Sequence, residues 1–127
     1  MKVIGLETIR LAEFPAILFL QVHTDEGLIG LGENCVGVES VETFLHESVA
    51  PRLLGKNPLN INEIHEVLHQ DFIGFNGSSI AVRATSSIDI ALWDLFGQVT
   101  GQPIYQLLGG KVRDKIRAYN TCAGSAY

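Results

Sequence analysis

Basic residues are scarce in this sequence. Nine Lys and Arg stand against 14 Asp and Glu, for a formal net charge of −5. Electrostatic nucleic-acid binding needs clustered cations to neutralise phosphates. Here the basic residues are few and scattered, so neither nucleic acid nor an anionic membrane surface is an expected partner. Cysteine is sparse as well: Cys35 and Cys122 lie far apart and form no C-x-x-C pair. Reduced thiols of a cytoplasmic protein are therefore expected rather than a disulfide. A long apolar run is also missing. The N-terminus, MKVIGLETIRL, has one Lys and no hydrophobic core of the length a signal peptide or membrane span requires. Without secretion, the Asn76-Gly77-Ser78 triplet has no meaning as a glycosylation acceptor. The chain carries no G-x-S-x-G, no P-loop, no Cys/His pair at catalytic spacing, no internal repeat and no low-complexity segment.

What is present suits a single domain. The 127 residues are 46% hydrophobic and 18% charged, enough to bury a core without disulfides or metal. Residues 2 to 12 are rich in aliphatic and β-branched side chains and read as a strand that Glu13-Phe14-Pro15 breaks. Ala16 to His23 is a second strand, with Leu18, Leu20 and Val22 on one face. Thr24 to Gly27 is a turn in which Gly27 can supply a positive φ. Leu28 to Glu33 is a third strand, whose alternating Gly30 and Gly32 let something pack closely on that face. Short turns between consecutive strands predict an antiparallel meander.

The period then changes to that of helices. Ser40 reads as an N-cap for a helix carrying Val41, Phe44, Leu45, Val49 and Leu53, which Pro51 should bend or tighten. A second helix starts at Asn60, with Glu63 at the third position of a capping box and an apolar face of Ile61, Ile64, Leu68 and Phe72. After a loop over 74–77, Ser78 or Ser79 caps a long third helix that runs to about Val99 and is stopped by Gly101 and Pro103. On this third helix Ile88, Leu92, Leu95 and Val99 form one stripe, while Ile90, Trp93 and Phe96 form another. A helix that is apolar nearly all round is buried nearly all round. One domain covers one side of it, and the other side calls for further protein.

Several local patterns carry chemistry on paper. His65-Glu66-Val67-Leu68-His69 matches H-E-x-x-H, which on a helix sets two imidazoles one turn apart for zinc with Glu as general base. The pattern fixes three positions only, and no downstream His or Glu is placed as a third ligand. The two histidines are therefore read as a solvated helix flank, with a zinc hydrolase as the remote alternative. Asp89 and Asp94 are five apart on the long helix, which does not pair them; they are expected in structural ion pairs or hydrogen bonds, with Arg83 and backbone donors as candidates. Gly30-Leu31-Gly32 lies inside a strand and lacks the following helix of a dinucleotide loop. Leu108-Gly109-Gly110 has no helix N-terminus after it and reads as a sharp exit rather than a phosphate nest.

The run Arg83-Ala84-Thr85-Ser86-Ser87-Ile88-Asp89-Ile90-Ala91-Leu92-Trp93-Asp94, followed by Gly97, Gly101, Pro103, Tyr105 and Leu107-Leu108-Gly109-Gly110, resembles the signature of the mandelate racemase/muconate lactonizing enzyme group of the enolase superfamily. The resemblance covers essentially the whole chain and implies an α+β fold, a three-stranded meander followed by three helices, truncated before a TIM barrel. It implies that residues 1–110 are a capping domain and 111–127 a linker and the first barrel strand, over Lys115 to about Cys122. It further implies abstraction of a proton α to a carboxylate, with Mg²⁺ as cofactor, most closely acid-sugar dehydration among the family's activities. The metal ligands and catalytic bases of relatives lie on later barrel strands, so no catalytic or metal residue is assigned and the fragment alone is expected to be inactive. Relatives close two loops and the end of the first barrel strand over the substrate. These match Glu13 to Pro15, Asn34 to Glu39 and the residues ending at Cys122. The implied substrate-facing residues are Phe14, Cys35, Val36, Asn120, Thr121 and Cys122. The implied partners are a small-molecule carboxylate and further copies of the chain in a homo-oligomer. The competing reading is a non-enzymatic α+β module that acts through self-association or a binding partner.

Overall fold

The structure, a computed structural model, describes residues 1–69 and 80–119. Strands β1 (Val3–Arg10), β2 (Ile17–Thr24) and β3 (Ile29–Cys35) form one antiparallel sheet in the order β1-β2-β3. This is the expected meander. The central strand alternates as its sequence does, with Leu18, Leu20 and Val22 buried on the inner face. The turn into β3 uses Gly27 at φ 83°, and the buried Thr24 hydroxyl closes it by donating to the Leu28 carbonyl at 2.9 Å.

The helices lie on the inner face. The first runs through α1 (Val38–Phe44), a π-helical turn (Leu45–Val49) and α2 (Ala50–Leu53). It buries Val41, Leu45, Val49 and Leu53 against the sheet. Two details depart from the sequence expectation. Ser40 is not the cap: the cap is Gly37, three residues earlier, in the left-handed region at φ 68°. Pro51 does not tighten the helix; a wider turn precedes it. Proline has no N–H to give and its ring crowds the carbonyl four residues back, and a π turn relieves that crowding.

Helix α3 (Ile61–His69) buries Ile61, Ile64 and Leu68 as expected. Its capping box does not form. The Asn60 backbone N–H donates to the Asn57 carbonyl instead, and the Glu63 carboxylate accepts from the Asn60 side-chain amide at 2.9 Å and pairs with Lys56 at 2.8 Å. The connector before α3 is tied to β1 by two backbone bonds, Val3 N–H to the Lys56 carbonyl and Gly55 N–H to the Val3 carbonyl. Phe72, the loop over 74–77 and the capping serines lie outside the described residues.

Helix α4 (Ile80–Thr100) spans 21 residues and lies across β2 and β3. Its buried face is built from small residues at helical spacing, Ala81, Ala84, Ser87 and Ala91, with Ile88, Leu92 and Leu95 beside them. The small residues meet the β3 glycines. A Cβ on Gly30 would stand 2.3 Å from the Ala91 carbonyl oxygen, and one on Gly32 would stand 2.2 Å from that of Ser87. Helix and strand backbones therefore touch, and only glycine fits. The Ser87 hydroxyl, buried in this seam, donates to the Ala84 carbonyl at 2.7 Å and so carries no unmet polar demand. The second stripe is left partly open: Trp93 and Phe96 are half-buried, Ile90 is 49% exposed, and Val99 of the first stripe is exposed too. A short helix not anticipated from sequence, α5 (Ile104–Leu107), follows Gly101 and Pro103. Residues 111–119 are exposed or nearly so and lie outside the strands of the sheet.

Candidate functional site

The meander brings two loops to one end of the sheet. Ile17 pairs with Cys35, so the turn before β2 and the turn after β3 are neighbours. The Val36 N–H donates to the Ala16 carbonyl at 3.2 Å and joins them directly. Phe14 closes the first loop: its N–H reaches the Leu11 carbonyl and its carbonyl takes the Ile17 N–H, each at 3.0 Å. Its ring stays 51% exposed and lines a recess of about 150 Å³ with Glu13, Pro15, Ala16 and Ile17. The structure thus sets the loop that carries Phe14 beside the loop that carries Cys35 and Val36. Asn120, Thr121 and Cys122 lie outside the described residues.

The second loop is held in an unusual shape. Val36 has φ 70° and Gly37 φ 68°. Glycine takes that conformation freely, but a β-branched residue is crowded there by its own Cβ substituents. Contacts on both sides hold the loop. On one side Arg83, in the first turn of α4, donates from Nη1 to the Cys35 carbonyl at 3.0 Å. The buried Asn34 amide donates back to the Arg83 carbonyl. On the other side Arg10, at the end of β1, pairs with Glu39 and lies 3.6 Å from Glu42. The Glu39 carboxyl is held below its ordinary range, first by its own backbone N–H and then by the Arg10 charge. A cleft of about 230 Å³ between β3 and α4 is lined by Glu33, Asn34, Cys35, Val82, Arg83 and Ser86.

Sequence reasoning missed Asn34 and Arg83 as parts of this site. Arg83 was a candidate partner for the helix aspartates, and the structure sends it to a carbonyl instead. A signal existed, because a cation in the first turn of a helix opposes the helix dipole and needs another reason to be there. Asp94 does find the backbone donor expected of it: Oδ2 accepts the Leu31 N–H at 2.8 Å and the Gln98 amide at 3.0 Å. Gln98 also donates to the Ile29 carbonyl at 2.8 Å. Together Arg83, Asp94 and Gln98 cover the open edge of β3, which would otherwise present unpaired backbone groups.

His65 and His69 lie one turn apart on α3, as their spacing predicts. Their rings are stacked with centroids 3.8 Å apart, and His69 Nδ1 is 2.9 Å from the His65 carbonyl oxygen. Among the described residues no three His, Cys, Asp or Glu side chains converge on a point where a metal ion could sit. The same residues contain no helix long and apolar enough to cross a membrane.

Residues 4–109 match the sequence profile of the N-terminal domain of mandelate racemase / muconate lactonizing enzyme. A D-galactonate dehydratase of Pectobacterium atrosepticum is 43% identical over 127 residues, covering 98% of this chain and 32% of the relative. A crystal structure of a mandelate racemase subgroup enolase from Agrobacterium tumefaciens is 51% identical with a TM-score of 0.78, over 87% of this chain and 30% of that one. An enolase protein from Sargasso Sea environmental sequencing superposes with a TM-score of 0.88 at 46% identity, over 97% of this chain and 33% of that one. A mandelate racemase/muconate lactonizing protein of Paracoccus denitrificans, complexed with magnesium, is 29% identical with a TM-score of 0.77, over 88% of this chain and 31% of that one. The chain spans about a third of the length of the curated relatives it matches.

Proposed function

This chain belongs to the mandelate racemase/muconate lactonizing enzyme family through its N-terminal domain, and on that premise we propose that it is the substrate lid of an acid-sugar dehydratase. The observation that carries the reading is the 43% identity to a D-galactonate dehydratase across 98% of the chain. In such a reaction the proton α to the carboxylate is removed, the hydroxyl on the next carbon leaves as water, and the enol returns to a 2-keto-3-deoxy acid. These residues supply the cover rather than the base. Residues 1–110 are the capping domain, and 111–127 lead into a barrel that carries the chemistry. Phe14, Cys35 and Val36 face the sugar acid, and Asn120, Thr121 and Cys122 approach it from the barrel side. Excluding water strengthens each polar contact inside a site, which is what a lid contributes.

Magnesium is the cofactor of the complete enzyme in this reading. The described residues offer no donor set for it, so its ligands lie elsewhere. The 127-residue chain alone is inactive, and the intact enzyme is a homo-oligomer. Exposed Ile4, Leu31 and Ile90 support burial against further protein.

The test is a turnover assay of the intact gene product and of the 127-residue chain against D-galactonate and its stereoisomers, scoring the 2-keto acid formed. Dehydration of at least one acid sugar by the intact product and none by the chain alone is expected. Turnover by the short chain, or none of any acid sugar by the intact product, refutes the reading.

A further inference from the structure

We propose that Arg83 and Asn34 are positioning residues that present Val36 to the substrate and thereby set how tightly an acid sugar is held; this rests on the lid reading above. Cys35 ends the edge strand β3, and among the described residues no further strand pairs with it to hold its carbonyl. Fixing that carbonyl fixes the plane of the 35–36 peptide, and with it the direction in which Val36 leaves. The Arg83 guanidinium provides the fixing bond at 3.0 Å. A guanidinium on an exposed helix turn would swing freely, but the main chain of Arg83 is itself gripped by the buried Asn34 amide. Asn34 and Cys35 are adjacent, so one dipeptide both anchors the arginine and receives its grip.

The result is a closed loop of contacts between the end of β3 and the start of α4. It holds Val36 at φ 70°, a conformation its side chain disfavours. Val36 is 61% exposed, which shows that packing of its own side chain does not impose this shape. The backbone is held from outside, and the isopropyl group is left facing outward beside the Phe14 loop. Without the Arg83 bond, the 35–36 peptide is restrained through the Val36 N–H bond to the Ala16 carbonyl at 3.2 Å and loses its second anchor, so Val36 can relax toward an extended φ and move its side chain off the site.

The experiment compares Arg83→Met, Arg83→Lys and Gln98→Met in the intact enzyme. Gln98 makes the equivalent cap to a β3 carbonyl, that of Ile29 at the far end of the strand, and serves as the structural control. Amide hydrogen exchange over residues 36–38 is read first, since it requires no turnover. Arg83→Met is expected to accelerate it about tenfold, Arg83→Lys less, and Gln98→Met not at all. In kinetics, Arg83→Met raises KM for the acid sugar about tenfold with kcat within about threefold, and Arg83→Lys recovers part of the loss. Unchanged exchange in Arg83→Met overturns the clamp whatever the turnover. Faster exchange with an unchanged KM, or an equal KM shift in Gln98→Met, overturns the role in substrate binding. If the unsubstituted enzyme dehydrates no acid sugar, the function reading falls alone, and the exchange measurement still decides the clamp.

Discussion

Replacing Gly32 with alanine adds a single methyl group at the point where β3 and α4 touch. The new carbon would lie 2.2 Å from the Ser87 carbonyl oxygen, 3.1 Å from the Ser87 carbonyl carbon and 3.4 Å from a Leu20 methyl. Comfortable heavy-atom contact begins near about 3.5 Å, so roughly 1.3 Å has to be found. The first two neighbours are backbone, so no flexible side-chain tip can swing aside. Helix α4 must recede, loosening Ile88, Leu92 and Leu95 in the core and stretching the Asp94 bond to Leu31. Overpacking of a core costs about 1–3 kcal/mol, and with two backbones opposed the expected cost is about 3 kcal/mol, near the top of that range. A domain of this size has about 5–15 kcal/mol in total. Urea denaturation of the 127-residue chain, followed by the fluorescence of its single Trp93, reads the effect directly. With a slope of about 1–3 kcal/mol per molar urea, the midpoint falls by about 1 M or more. Gly5→Ala is the control, because its Cβ would meet only the His23 Cβ, at an ordinary 3.8 Å; its effect should stay within about 0.5 kcal/mol. A Gly32→Ala protein no less stable than Gly5→Ala would refute the argument that helix and strand backbones are in direct contact.

Asp94→Ala removes the acceptor of the Leu31 N–H on the open edge of β3 and should cost about 1–2 kcal/mol, with the Leu31 amide exchanging faster in hydrogen-exchange measurements. The Glu63 carboxyl titrates below its ordinary value of 4.5, because Lys56 and then Asn60 hydrogen-bond to it. A folded value depressed below the unfolded one gives stability that is present above pH 4.5 and is lost as pH falls through the folded value. The Tm of the unsubstituted protein should therefore exceed that of Glu63→Gln above pH 4.5, with the gap closing on acidification. Calorimetric titration with Zn²⁺ should show no stoichiometric binding of about micromolar affinity or tighter at His65 and His69, whose rings are stacked on each other.

Elements governed by a local period were legible in the sequence. The alternation of Leu18, Leu20 and Val22 and the helical spacing of Val41, Leu45, Val49 and Leu53 gave the right element and the right buried face; the long run from Arg83 gave the right element, with Ile88, Leu92 and Leu95 buried but Ile90 and Val99 exposed. The glycine pair in β3 announced a close approach before its partner was known. Features decided by competition between neighbouring groups were less visible. Ser40 is a good cap in isolation, but Gly37 reaches the left-handed region three residues sooner and the helix starts there. Glu63 sat at the right position for a capping box, yet Lys56 and the Asn60 amide took its carboxylate. At the candidate site, Phe14, Cys35 and Val36 were named from loop position, and their two loops are joined by the Val36 N–H bond to the Ala16 carbonyl. The Asn34–Arg83 contact that shapes their loop joins residues 49 apart, a separation at which periodicity carries no information.

Most helices ride on a sheet over a cushion of side chains, and that cushion absorbs small displacements by changing rotamers. At Gly30 and Gly32 the cushion is gone, and α4 rests on β3 like one rail on another. A load applied to the outer face of the helix, at Ile90 or Trp93, has no soft layer to spend itself in. It passes straight into the strand and along it to Cys35 and Val36. Whatever seats that outer face also sets the height of the loop at the strand's end, and a substitution there can retune that loop without touching it.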